Sequence, residues 1–182
     1  MFNFLAKYNT SSIFNQTLLS SKMDHMDTKT ETPWLNATQQ RTWRSFLGGT
    51  TVLMDRLDRD LRAKHGLSMP EYEILVRLSE APGRAARMSE LAAAVAHSRS
   101  RITHTIARLE RGKMVQRGQC SDDGRGVSAV LTDHGFGVLE QAAHTHVTGV
   151  HDYLIANAGT DDFLALGRVM QKVVEVLEGK RF

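Results

Sequence analysis

Cysteine is almost missing from this chain: Cys120 is the only one in 182 residues, so no intrachain disulfide can form and a disulfide-built secreted scaffold is excluded. A lone thiol fits a reducing compartment, and the cytoplasm is the expected location. Long apolar runs are missing too. No stretch approaches the roughly 20 consecutive apolar residues that a bilayer crossing needs, so no membrane partner is expected. Residues 1–21 are mildly apolar but repeatedly interrupted, without the apolar core or cleavage site of a signal peptide. Proline is scarce, with Pro33, Pro70 and Pro82 each standing where a segment starts or stops. Phosphate loops, nucleophile elbows and paired acid–base carboxylates are not found, and no motif beside Cys120 identifies a catalytic base. The chain therefore reads as no enzyme, and nothing in it calls for a cofactor or a metal.

What is present is unevenly distributed. Between Arg84 and Gly118 stand eight cations and two carboxylates, a net charge of +6, whereas the whole chain carries only +3. A basic island of that kind is the electrostatic footprint of a surface that faces phosphate. With 41% hydrophobic residues, 182 residues suffice for one core with appendages.

Residues 1–33 lack sustained periodicity and are expected to form a flexible arm. From Asn36, a capping-box candidate with Gln39, one helical stripe follows: Trp43, Phe46, Thr50, Leu53, Leu57 and Leu61, ending near Gly66. Gly48 and Gly49 interrupt that helix and suggest close packing or a bend. Ser68 and Glu71 form a second capping box, with Pro70 in the first turn, and Ala81-Pro82-Gly83 stops the helix they open. Ser89 is read as the N-cap of a short alanine-rich helix, Glu90 to Val95, and Ser98 as the N-cap of another that runs to Arg111, with Gly112 as its stop. Two strands follow, 114–119 and 127–131, around a tip that contains Asp122-Asp123-Gly124-Arg125-Gly126. Thr132 is expected to cap a long helix with a stripe of Phe136, Leu139, Ala143, Val147, Val150 and Leu154. Gly159 then interrupts, and Thr160 is expected to cap a last helix whose stripe is Phe163, Leu166, Met170, Val173 and Leu177.

Two short helices with a tight turn and a Gly-rich hairpin make a winged helix-turn-helix, in a mainly α (α+β) fold. At 100° per residue, Ile102, Ile106 and Leu109 share one face of the second helix, and Ser100, Arg101, Thr103, His104 and Arg108 the other. The helix from Ser98 presents unpaired amides and a positive dipole end to phosphate. Arg101, Thr103 and His104 are the candidates for base contacts in the major groove, because arginine grips guanine O6 and N7 and threonine offers both methyl and hydroxyl. Ser98 and Ser100 add hydroxyl donors, while Arg99 and Arg108 are expected on phosphates. Arg125, between two glycines, has the reach to enter a narrow minor groove. An acid on such a tip opposes binding unless paired, so Asp123 is expected to orient an arginine such as Arg125 or Arg101.

The order of elements, with Met88-Ser89-Glu90-Leu91-Ala92, Ser98-Arg99-Ser100-Arg101-Ile102-Thr103, Arg108-Leu109-Glu110-Arg111-Gly112 and Asp123-Gly124-Arg125-Gly126-Val127, resembles the MarR family of bacterial transcription regulators over Trp43 to about Leu177. The resemblance implies a homodimer whose first and last helices interlock, and the apolar stripe of the last helix agrees. It divides the chain into the arm (1–33), a first dimerisation helix (34–66), the winged DNA-binding domain (67–132) and C-terminal dimerisation helices (133–182). It implies a repressor that binds a pseudopalindromic operator in double-stranded DNA and is released by a small aromatic or phenolic effector.

Trp43, Phe46, Tyr72 and Phe136 lie near the junction where the family lodges such a molecule, although aromatic residues on helix stripes usually pack in the core. A redox-responsive regulator of the same type, sensing through Cys120 beside Arg117 and Arg125, is the alternative reading. His144, His146 and His151 with Asp152 form no convincing metal set, since residues 144 and 146 point about 160° apart on a helix. A winged helix used only for protein contact would have no need of the basic face.

Overall fold

The computed structural model describes residues 32–94, 99–119 and 127–179. Ser98, Cys120, Asp123 and Arg125, like the arm up to residue 31, lie outside the described residues.

Helix α1 runs from Ala37 to His65 and ends where Gly66 takes a positive φ of 67°. Only its C-terminal half is covered: Leu57 and Leu61 are buried, Phe46 and Leu53 are half-buried, and Trp43 and Thr50 are exposed. Gly48 and Gly49 do not serve close packing within the protomer, because a Cβ at either would meet nothing within 4 Å. Two glycines that do allow close approach of another element lie in α5 (Asp133–Val150). A Cβ on Gly149 would sit 2.7 Å from the Leu57 side chain of α1, and one on Gly135 would collide with the Met114 carbonyl. His65 Nε2 and Thr145 Oγ1, 2.8 Å apart, add a polar tie between α1 and α5.

Helix α2 (Met69–Glu80) begins with the expected capping box: the Glu71 carboxylate accepts from Ser68 N at 2.8 Å and from Ser68 Oγ at 2.6 Å. Asp58 of α1 accepts from Met69 N at 2.7 Å, so the α1–α2 corner is pinned from both sides. A 3₁₀ turn, Pro82–Arg84, then leads into a strand that the sequence reading did not anticipate, β1 (Ala85–Arg87). It joins β2 (Val115–Gln119) and β3 (Val127–Leu131) in an antiparallel sheet of order β1-β3-β2. Three residues with two alanines carry no period-2 signal, so β1 exists because β3 offers it an edge. Ala85 pairs with Val130 and Arg87 with Ser128.

Two expected caps are corrected. Helix α3 (Met88–Ala94) starts one residue before Ser89, which therefore lies inside the first turn, and Glu90 reaches back to accept from Arg87 N at 3.1 Å. A short helix needs its first amides satisfied, and here the carboxylate does so. The last helix, α7 (Thr160–Glu178), includes Thr160, and its N-cap is Gly159 at φ 69° with no side-chain cap. Thr132 does cap α5, accepting from Gly135 N at 3.0 Å. Beyond Val150 the chain continues through a π-helical turn, His151–Ile155, and one turn, α6 (Ala156–Ala158).

The core joins Leu57 and Leu61 of α1, Ile74, Leu75 and Leu78 of α2, Leu91 of α3, the inner face of α4 (Arg99–Arg111), Val115 and Leu131 of the sheet, and Leu139 and Ala142 of α5. Val147, expected on the inner stripe of α5, is exposed. By contrast, α7 packs extensively on no other described element. Leu164, Val169, Val173, Val176 and Leu177 all remain exposed along it.

Candidate nucleic-acid interface

Helix α4 divides into two faces as its spacing requires. Ile102, Ile106 and Leu109 are at most 1% exposed, whereas Ser100, Arg101, Thr103, His104 and Arg108 are exposed. Burial of three large aliphatic side chains, each contributing about 1.5–3 kcal/mol, holds the helix on the core and leaves its polar side outward. The helix ends in a Schellman arrangement: Lys113 N donates to Glu110 O at 2.8 Å and Met114 N to Leu109 O at 3.0 Å. The left-handed residue is Lys113, with φ 56°, and not Gly112. Gly112 is nonetheless crowded, since a Cβ there would lie 2.7 Å from Met114 Cε.

Two ion pairs fix the C-terminal turn of α4 to its neighbours. Arg108 Nε lies 2.9 Å from Glu71 Oε1, whose side chain is only 4% exposed. Glu110 Oε2 lies 3.1 Å from Arg117 Nε on β2. Sequence alone suggests a phosphate for Arg108 and only a cap for Glu71, because no helical period links partners that lie on separate elements. On the sheet, the register from Val115↔Leu131 to Gln119↔Val127 carries β2 and β3 outward in step toward residues 120–126. Arg84 anchors the far side, 3.1 Å from Asp133 and stacked 4.0 Å above the Phe136 ring.

The four aromatic residues proposed for an effector enter three separate ring contacts. Trp43 and Phe46 stack at 5.7 Å, Tyr72 lies 4.7 Å from the His146 ring, and Phe136 sits beneath Arg84. Tyr72 is buried among core residues, the fate its helix stripe favours. None of the four lines the groove of about 410 Å³ formed by His65, Asp133, His134, Gly137, Val138 and Gln141. Burial lowers the His146 pKa, and its Nδ1 is buried without a hydrogen-bond partner. Burial likewise raises the Tyr72 phenol. His151 pairs with Asp152 at 2.9 Å. Among the described residues no cluster of three metal-ligating side chains occurs, and no helix is long and apolar enough to cross a membrane.

The family model described as MarR family matches residues 65–126, the stretch that holds α2, α3, α4, β1 and β2 and ends just before β3. The HTH-type transcriptional regulator PecS of Dickeya dadantii (strain 3937) is 31% identical over 110 residues, 59% of this chain. That alignment spans 66% of the PecS length, just short of two thirds. Among solved structures, Sco3205, a MarR family transcriptional regulator from Streptomyces coelicolor crystallised in complex with DNA, is 40% identical with a TM-score of 0.76. The match covers 80% of this chain and 91% of that one. AbsC, another MarR family transcriptional regulator of Streptomyces coelicolor, is also 40% identical, with a TM-score of 0.75 over 82% of this chain and all of its own. With the same winged architecture and this identity across nearly the full length of both structures, the chain belongs to the MarR family of transcriptional regulators and is not an enzyme.

Proposed function

We propose that the protein is a dimeric, sequence-specific repressor that places α4 in the major groove of a pseudopalindromic operator and is released by a small aromatic or phenolic effector. The observation that carries the DNA reading is the division of α4: three aliphatic side chains are locked into the core while Ser100, Arg101, Thr103 and His104 face outward. The DNA complex of Sco3205 supports it. The uncovered apolar length of α7 and the exposed start of α1 support a second copy as partner, since two-fold proteins read two-fold sites. Arg125 is proposed at the minor groove, with Asp123 orienting it, on the sequence pattern alone.

Duplexes selected from a random pool, then titrated at several salt concentrations, test this. We expect a motif with two inverted half-sites and an affinity that falls linearly with salt on logarithmic axes. Arg101→Ala should relax discrimination at one base pair per half-site by about 1–3 kcal/mol. Failure to enrich any motif removes sequence-specific recognition. A panel of small phenols and aromatic acids added to the preformed complex should include a releasing compound; if none lowers the bound fraction, the effector part falls.

A further inference from the structure

We propose that Arg108 acts in DNA recognition as a positioning residue, through its ion pair with the buried carboxylate of Glu71, and is not a phosphate ligand. Both oxygens of Glu71 are engaged: Oε2 holds Ser68 N and Ser68 Oγ, and Oε1 holds Arg108 Nε at 2.9 Å. A carboxylate this deeply buried needs a counter-charge; Arg108 is the cation paired with it directly, and Arg62 of α1 adds a weaker, longer-range attraction. The pair also has a fixed base, because Met69 N, two residues before Glu71, is held by Asp58 of α1.

Apolar contacts alone leave the rotation of α4 about its axis loosely determined, because they lack direction. Short ion pairs to partners fixed on other elements restrict that rotation, because turning the helix would pull the charges apart. Arg108 toward α2 and Glu110 toward β2 tie the same helical turn to two different elements. Those two ties set the angle at which Arg101, Thr103 and His104 meet the groove. Arg108 lies seven residues beyond Arg101, at the end of the helix away from the N-terminal residues that reach bases in helix-turn-helix docking.

The proposal rests on α4 being the DNA-facing helix. Its test uses the full chain, a duplex recovered from the random pool and a scrambled duplex, with each variant shown to be folded by circular dichroism. Glu71→Gln and Arg108→Gln should each weaken binding to the selected duplex about tenfold, and the double variant about tenfold, not a hundredfold, because both break one contact. The salt slope should match that of the parent. Leu139→Val, which loosens the core elsewhere, should lower stability and keep affinity, separating positioning from general destabilisation. The sign of the Glu71→Gln effect decides the matter: unchanged or tighter binding there, with a salt slope reduced by about one in Arg108→Gln, makes Arg108 a phosphate ligand and overturns the proposal. Additive losses in the double variant overturn it as well. If the parent binds no duplex in a salt-dependent way, the DNA reading itself fails before any variant is compared.

Discussion

The winged unit and the flanking helices spend their apolar residues in opposite ways. Leu109 of α4 is wholly buried, whereas Leu177 of α7 is 76% exposed, although both lie on apolar stripes of similar spacing. From α2 to β3 each element finds its cover inside the chain: α4 lies on α2 and α3, and the sheet closes beside them. The N-terminal half of α1 and most of α7 find none. Helical periodicity thus marks surface that must be buried without saying against what.

The largest break in this comparison should come from the winged core. Leu109→Ala removes a fully buried side chain and should lower unfolding free energy by about 2–5 kcal/mol in a urea titration. A loss below about 1 kcal/mol would show that α4 is not anchored as its burial implies. Val176→Glu should do the reverse. Within one protomer it should change stability by no more than about 0.5 kcal/mol, yet weaken self-association roughly a hundredfold in sedimentation, since a charge would enter an apolar interface. Unchanged self-association would remove α7 from the proposed interface.

Thr132→Ala should cost about 1 kcal/mol, because the Gly135 amide loses its acceptor at the start of α5. Differential scanning calorimetry reads this as a lower Tm, and an unaltered Tm would remove the cap from the energetics. The smallest effect should come from His146. Its native pKa lies below the ordinary imidazole value of 6.5 because burial disfavours the charged ring. The unfolded chain therefore binds more protons between the two values, so its contribution is complete above about pH 6.5 and is lost as pH falls through the lowered native value. Urea midpoints at pH 7.5 and 5.5 should fall less in His146→Leu than in the parent. Equal declines would assign the acid sensitivity to other groups.

Several features were legible because their causes lie within a few residues. The 68–71 capping box, the Thr132 cap, the stop at Gly66 and the two faces of α4 all follow from local hydrogen bonds and spacing. Misplaced readings had local causes too. Ser89 and Thr160 are good capping residues, but Ser89 is the second residue of its helix and Thr160 the first; the Glu90 carboxylate caps at Arg87 N, and Gly159 stands at the N-cap without a side-chain cap. Gly48-Gly49 suggests close packing or a bend, but a Cβ at either would touch nothing, and close approaches of another element below 3 Å fall at Gly135 and Gly149.

By itself, then, the sequence determined that a basic, two-faced helix precedes a hairpin and that long amphipathic helices flank them, since side-chain period and charge are properties of neighbouring residues. Only the tertiary structure decided that Ala85–Arg87 becomes a strand, that Glu71 holds Arg108, and that the stripe of α7 stays uncovered. Each depends on which distant element arrives opposite, and burial then sets whether a charge is paired and whether an apolar face is closed.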